Sequence, residues 1–330
     1  MIKVGLTFDL KDDYLRLGYT KEQVAEFDAP ETIDALEQAI TSLGFDVIRI
    51  GNIFSLVDFL NKGNRCDLVF NICEGMYGIA REAQVPCLLD AYQIPYVFSE
   101  PDILNLTLDK GLTKHIVKQA GILTADFKVI SQLSELQNID IPFPLFVKPV
   151  AEGTSKGIDG FSLVKNQMQL EESTDYLLKT FRQPVLVESF LPGREFTVGI
   201  TGCGDGSKAL GTLEIVLNEH APHPIYSYSV KKDWEKYASY KIAVDSVAVK
   251  CAEMAVEVWK IIKGKDAGRV DFRLDTNGYP NFIEVNPLAG LNPTYSDLPI
   301  LARLIGISYL QLISEIMNSA LKRSSLKDKQ

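Results

Sequence analysis

The chain has only three histidines and five cysteines, and neither set is grouped. Cys66, Cys73, Cys87, Cys203 and Cys251 are odd in number, scattered, and contain no CxxC pair. That pattern argues against a zinc site or a disulfide framework and for ordinary reduced thiols. His220 and His223, in "NEHAPHP", have no neighbouring ligand cluster and lie among prolines, so they read as loop. The string "GTSKG" has GxSxG spacing, but no Cys or Ser stands beside an evident base, so nucleophilic catalysis lacks its usual parts. The Walker A order GxxxxGK[ST] is missing as well. No run of about 18 apolar residues could span a bilayer. The start, "MIKVGLTFDL", has no cationic segment ahead of a long apolar one. A secretory signal is therefore not expected, and the cytoplasm is the expected location. Basic charge is in short supply: 34 Lys and Arg against 43 Asp and Glu leave a net charge of -9. This disfavours nucleic acid or an anionic membrane as a general partner, while leaving room for a local basic pocket.

What is present is apolar substance and alternation. At 330 residues and 46% hydrophobic, the chain can bury a core large enough for two or three subdomains. The first third alternates strand and helix patterns: "IKVGLTF", the helix "APETIDALEQAITSLG", "DVIRI", "FSLVDFLNK", "CDLVFNI", a helix around "AQVPCLLDAYQ", and the strand "IPYVFS". Such alternation predicts a parallel α/β layer. A helix over "TLDKGLTKHIVKQAG" follows, then strands "PLFVKPV", "PVLVESFL" and "REFTVGIT". The polar run from Asn218 to Tyr240 reads as a long loop. Helices over "SVAVKCAEMAVEVWKII" and "ISYLQLISEIMNSALK" complete the pattern.

The stretch "GRVDFRLDTNGYPNFIEVNP" alternates polar and apolar residues on both sides of Asn277-Gly278, a dipeptide that favours a tight hairpin turn. A turn centred there sets Asp271 opposite Glu284, Arg269 opposite Asn286 and Arg273 opposite Phe282. Arg269, Asp271, Glu284 and Asn286 then share one face, and Val270, Phe272, Leu274, Ile283 and Val285 form the core face. Like charges set opposite each other destabilise a sheet. A divalent cation would reverse that sign, because hard oxygen ligands suit magnesium. A solvated face, with Arg269 and Arg273 compensating the acids, is the alternative the hairpin leaves open.

Two further signals precede the hairpin. In "FVKPVAEGTSKG", Lys148 follows apolar residues on a strand, and Gly153, Thr154, Ser155 and Gly157 make a loop with hydroxyls and free N–H groups that suits phosphate. A surface turn with an incidental lysine would look the same in isolation. In "VLVESFLPGREF", two strands flank a Pro-Gly bend and set Glu188 and Glu195 near a potential hinge; a hairpin with exposed acids is the plainer reading.

Lysine strand, glycine loop, acidic hinge and acidic hairpin, in that order, resemble the ATP-grasp superfamily, and more specifically the D-alanine–D-alanine ligase family. The resemblance covers about residues 1–317, is strongest between Leu145 and Gly290, and includes "LDKGLTKHIVKQAGI". It implies an α/β fold of ATP-grasp type with an N-terminal parallel layer over 1–104, a central subdomain over 105–190 and a C-terminal subdomain over 191–330, the last two enclosing ATP. Carried over by motif, Lys110, Lys148 and Ser155 meet the ATP phosphates. Glu188, Ser189, Leu191 and Ile283 meet the adenine side, and Glu195 the ribose. Asp271, Glu284 and Asn286 hold magnesium, two ions being expected, with manganese as a substitute. Arg269 stabilises the transferred phosphoryl group, Thr154 and Lys231 belong to the loops over the substrates, and Glu26 falls near the family's amine-binding Glu. The implied reaction is ATP-dependent ligation of a small carboxylate to an amine, with amino acids as the implied substrates, through an acyl-phosphate; a homodimer is implied too.

Several substrate-facing positions depart from the family pattern. Lys232 follows Lys231 where a Tyr is usual, and "CEGMYGIAREAQVP" replaces the His-Gly…Gly-Glu-Asp-Gly segment. In "LNPTYSDLP", either Tyr295 or Ser296 could serve where the family binds a carboxylate. These departures point to a product other than D-alanyl-D-alanine. The neighbouring readings are an authentic D-alanine–D-alanine ligase of peptidoglycan synthesis and, in another class, a non-catalytic ATP-binding regulator.

Overall fold

The computed structural model describes residues 1–221, 225, 230, 234–324 and 326. Three sheets organise the chain. Strands β1 (Lys3–Phe8), β2 (Asp46–Gly51) and β3 (Leu68–Ile72) pair in parallel in the order β2-β1-β3. Helix Pro30–Ser42 starts with its proline at the first turn, where a missing N–H costs nothing, and buries Ile33, Leu36 and Ile40 against this layer. The same apolar cluster takes in Leu312, Ile316 and Ala320 of the last helix, Tyr309–Arg323, so the two ends of the chain share one core. The segment expected as a strand at "IPYVFS" meets β3 through a single bridge, Tyr96 to Val69. Pro95 has no N–H to give, and Phe98, at φ 77°, turns the backbone aside to donate to Asp266 Oδ2.

The second sheet is antiparallel, with β4 (Phe127–Ile130), β5 (Leu145–Pro149), β6 (Leu163–Val164) and β7 (Val185–Ser189) in the order β4-β7-β5-β6. Helix Gln167–Phe181 covers one face through Leu170 and Leu177. The third sheet holds β8 (Glu195–Thr201), β9 (Lys208–Leu217), β10 (Ala238–Ala243), β11 (Ala267–Leu274) and β12 (Pro280–Asn286) in the order β10-β9-β8-β11-β12. Helix Ser246–Ile261 seals it with Met254, Val258 and Trp259 against Val198, Val270 and Phe272. Residues 238–240 thus belong to strand β10, not to the expected loop, because they complete the edge of β9. No single described helix is long and apolar enough to cross a membrane.

The β11–β12 hairpin pairs Arg269 with Asn286 and Asp271 with Glu284, the facing acids expected from alternation. Beyond Asp271 the register slips by one residue: Phe272 faces Phe282, and Arg273 faces Asn281 instead of Phe282. The cause lies on the other edge of β12. Phe282 N–H donates to Leu123 O at 2.7 Å, and Thr124 Oγ1 donates to Phe282 O at 2.8 Å. Those bonds draw Phe282 out of simple alternation and leave Ile283 as the extra residue of a bulge. Phe282 is therefore fully buried, and Ile283, which alternation puts in the core and the family resemblance on the adenine side, lines the cleft between the second and third sheets.

Candidate active site

Strands β5 and β7 face β8, β11 and β12 across that cleft, and all the side chains expected around a nucleotide except Lys110 line it. Lys148 projects from β5, almost fully buried, with its ammonium 2.8 Å from Glu188 Oε1 on the neighbouring β7. The other oxygen of Glu188 lies 2.7 Å from Lys114 Nζ. Burial alone would raise the Glu188 carboxyl, but the two lysines hold it down at about 2. Glu188 is thus occupied by cations rather than presented to a base. Ser155, Ser189, Leu191 and Ile283 line the cleft with Phe146 and Phe190, an apolar slot open to an aromatic ring. Glu195 sits at its rim, 3.3 Å from Arg273 Nη1. Lys110, one turn ahead of Lys114 on helix Lys110–Gln119, donates to Glu152 O at 2.6 Å and lies 3.4 Å from Glu284 Oε2.

The hairpin supplies the anionic wall. Arg269 Nη1 donates to Asp271 Oδ2 and lies 3.7 Å from Asp297 Oδ2, while Thr197 Oγ1 donates to Asp271 Oδ1 at 2.8 Å. Asn286 Nδ2 donates to Asp271 Oδ2 at 3.5 Å and to Glu284 Oε1 at 3.4 Å, so the three side chains expected to hold metal meet, with the amide nitrogen turned toward the acids. Burial, with Glu284 and Asp297 nearby, pushes Asp271 up to about 6 against the pull of Arg269. Glu284, although buried, is held at about 2 by Lys110, Lys148 and Arg269. Among the described residues no three His, Cys, Asp or Glu side chains group as a metal site. Two carboxylates and an amide oxygen still fit a hard cation that takes its other ligands from phosphate and water, as magnesium does.

A second pocket, about 360 Å³, opens beside the first and shares Thr154, Arg269, Glu284 and Asp297 with it. Its far wall carries the acids Asp28, Glu74 and Glu82, with Lys11, and its floor is made by the runs 285–290 and 295–298, which include Tyr295 and Ser296. Burial raises Asp28 and Glu82 to about 7 each and Glu74 well above its ordinary value. Glu26 lines this pocket too, but both of its oxygens accept from Arg81 Nη2 at 3.1 Å, and Gly153 N–H donates to Oε1 at 2.5 Å. Lys156 Nζ lies 3.5 Å from Glu26 and 2.6 Å from Glu152. Glu26 therefore ties the first sheet's domain to the glycine loop. In that loop Thr154 and Ser155 adopt left-handed backbone, at φ 50° and 56°. Lys231 and Lys232 lie outside the described residues.

Sequence reasoning did not single out Lys114, Asp297, Thr197 or Arg81. Lys114 stands four residues after Lys110, a spacing that puts both on one helix face; the signal was there. Asp297 and Arg81 carry no such local mark, because their partners come from distant segments.

Residues 116–318 match the family model described as the D-ala D-ala ligase C-terminus. The D-alanine–D-alanine ligase of Bordetella petrii is 33% identical over 258 residues, 77% of this chain and 76% of that protein. The enzyme of the same name from Aquifex aeolicus is 32% identical over 297 residues, 87% and 94% of the two chains. Among solved structures, a D-alanine–D-alanine ligase from Bacillus anthracis complexed with ATP superposes over 99% of this chain and 100% of its own, with a TM-score of 0.72 at 21% identity. The VanG D-Ala:D-Ser ligase of Enterococcus faecalis gives a TM-score of 0.74 at 21% identity, over 97% and 99% of the chains. The fold is the ATP-grasp fold of these enzymes.

Proposed function

The chain belongs to the D-alanine–D-alanine ligase family, ATP-dependent enzymes that form carbon–nitrogen bonds, and from that premise we propose that it joins a small amino-acid carboxylate to an amine through an acyl-phosphate. The observation that carries the reading is the meeting of two pockets at Arg269, Glu284 and Thr154. One pocket suits a nucleotide, the other a small polar molecule, and a phosphoryl group can pass between them only where they touch.

A carboxylate resists attack because its charge repels a nucleophile and oxide is a poor leaving group. A carboxylate oxygen therefore takes the γ-phosphoryl group of ATP, and ADP departs. The amine nitrogen then attacks the acyl carbon, the carbon–oxygen bond to phosphate breaks, and the amine gives up a proton. Catalysis of such a transfer rests on positioning and on stabilising charge. Lys110 and Lys148 hold the phosphates, with Thr154 and Ser155 in the loop above them. Arg269 faces the group in transit, and Asp297 holds Arg269. Asp271, Glu284 and Asn286 hold magnesium, two ions with manganese as a substitute, which neutralises phosphate charge when bound. Ser189, Leu191 and Ile283 border the adenine and Glu195 the ribose. Lys231 is assigned to the substrates by its place in the motif alone. The acids Asp28, Glu74 and Glu82 favour an ammonium-bearing partner in the second pocket, a duty that Glu26 cannot share while Arg81 occupies it. A homodimer in the cytoplasm is the proposed setting.

A screen of ADP release against pooled D- and L-amino acids, with magnesium and ATP, tests the reading. Release that depends on a pool and yields a new amide by mass spectrometry is expected, with Asp271→Ala and Glu284→Ala silent. A stable phosphorylated product with no amide would refute ligation. Full stimulation by D-alanine alone would instead make the protein an authentic D-alanine–D-alanine ligase.

A further inference from the structure

Lys114 is fully buried, and a lysine is rarely so. Each direction of its ammonium has a purpose. It lies 2.7 Å from Glu188 Oε2, donates to Thr124 Oγ1 at 2.7 Å, and donates to Phe282 O at 3.3 Å. Glu188 in turn holds Lys148 through its other oxygen. In direct contact the buried group thus contains two ammonium ions and one carboxylate; Glu284, which acts on both lysines from further off, is itself paired with Lys110. With Lys148 and Glu188 alone the cluster would be neutral, and Lys148 would be drawn to its partner rather than to a ligand. Lys114 adds the charge that leaves the cluster with a net positive one, and a phosphate can relieve it. The bond to Phe282 O reaches the residue that the bulge sets two places before Glu284.

We propose that Lys114 is a positioning residue for ATP: it engages Glu188 so that Lys148 keeps its charge for the phosphates, and it braces the bulge that turns Glu284 into the cleft. The inference rests on the proposed reading of Lys148 as a phosphate contact. It predicts an effect on phosphate recognition that general loosening of the fold would not produce.

Calorimetric titration of the full chain with magnesium-ATP and with adenosine separates the two. Lys114→Met is expected to weaken ATP about 10-fold or more while adenosine affinity stays nearly constant. Adding Glu188→Gln to Lys114→Met removes the anion that now neutralises Lys148, and should recover part of the loss. An unchanged ratio of ATP to adenosine affinity in Lys114→Met, or no recovery in the double variant, would overturn the proposal. Should Lys114→Met fail to fold, Glu188→Gln alone decides: the ratio must rise above that of the unmodified protein, and a ratio that stays level or falls refutes the idea. If the unmodified protein does not bind ATP, the underlying functional reading fails, and the inference fails with it.

Discussion

Arg269 stands between two acids of the cleft, with Asp271 on one side and Asp297 on the other. Tyr240 OH donates to Asp297 Oδ1 at 3.1 Å, so that carboxylate is itself held in place. Asp297→Asn keeps the size but removes the charge behind Arg269. It should lower kcat about 10-fold to 100-fold with little change in the KM for ATP, as steady-state kinetics would reveal. Glu188 gives a prediction in pH. Its folded-state value of about 2 lies below the ordinary 4.5, so its contribution is present above that range and is lost as pH falls from about 4.5 to 2. Glu188→Gln should be clearly less stable than the unmodified protein at pH 7, with the difference shrinking across that window in urea titrations. A difference independent of pH would contradict the assignment. Single residues were legible where the motif was local: Lys148 and the hairpin acids stand out by alternation, whereas Lys114 shares a helix face with Lys110 but gives no sign of its partner until β7 brings Glu188 to it.

At the scale of elements, two devices fix the site. The first is β11 itself. A side chain at Gly268 would run into the Trp259 ring and approach Asn286 O within 2.6 Å. Gly268→Ala should cost about 1–3 kcal/mol by overpacking, read from the denaturation midpoint. The second is the buried tie of Glu26, Arg81, Glu152 and Lys156 to the glycine loop. Arg81→Leu leaves two buried acids facing a single lysine and should cost about 3–5 kcal/mol. Amide exchange at Gly153, whose N–H bonds Glu26, should quicken as well; protection that matches the unmodified protein would show that Arg81 does not hold the loop. The hairpin register was readable as far as Asp271, since Asn277-Gly278 and strict alternation determine it. The bulge at Ile283 was not, because it answers to bonds from Leu123 and Thr124, some 160 positions away, that no local pattern carries.

At the scale of the whole molecule, the acidic chain buries four of its cations at or behind the cleft proposed for the nucleotide. Lys110, Lys114, Lys148 and Arg269 are all buried or nearly so around one cleft, although the net charge is -9. The order of motifs made this visible in the sequence, because spacing along the chain survives where pairwise contacts do not show. The first sheet's contribution was the least legible: Glu26 could be placed only loosely, and its partner Arg81 lies 55 positions further on. The central claim is that a substrate carboxylate becomes an acyl-phosphate before an amine displaces phosphate. Its most direct test is to run the magnesium-ATP reaction on amino-acid pools labelled with ¹⁸O in their carboxyl groups and to weigh the released phosphate. The account predicts one labelled oxygen in each phosphate formed alongside an amide. Unlabelled phosphate accompanying amide formation would contradict it.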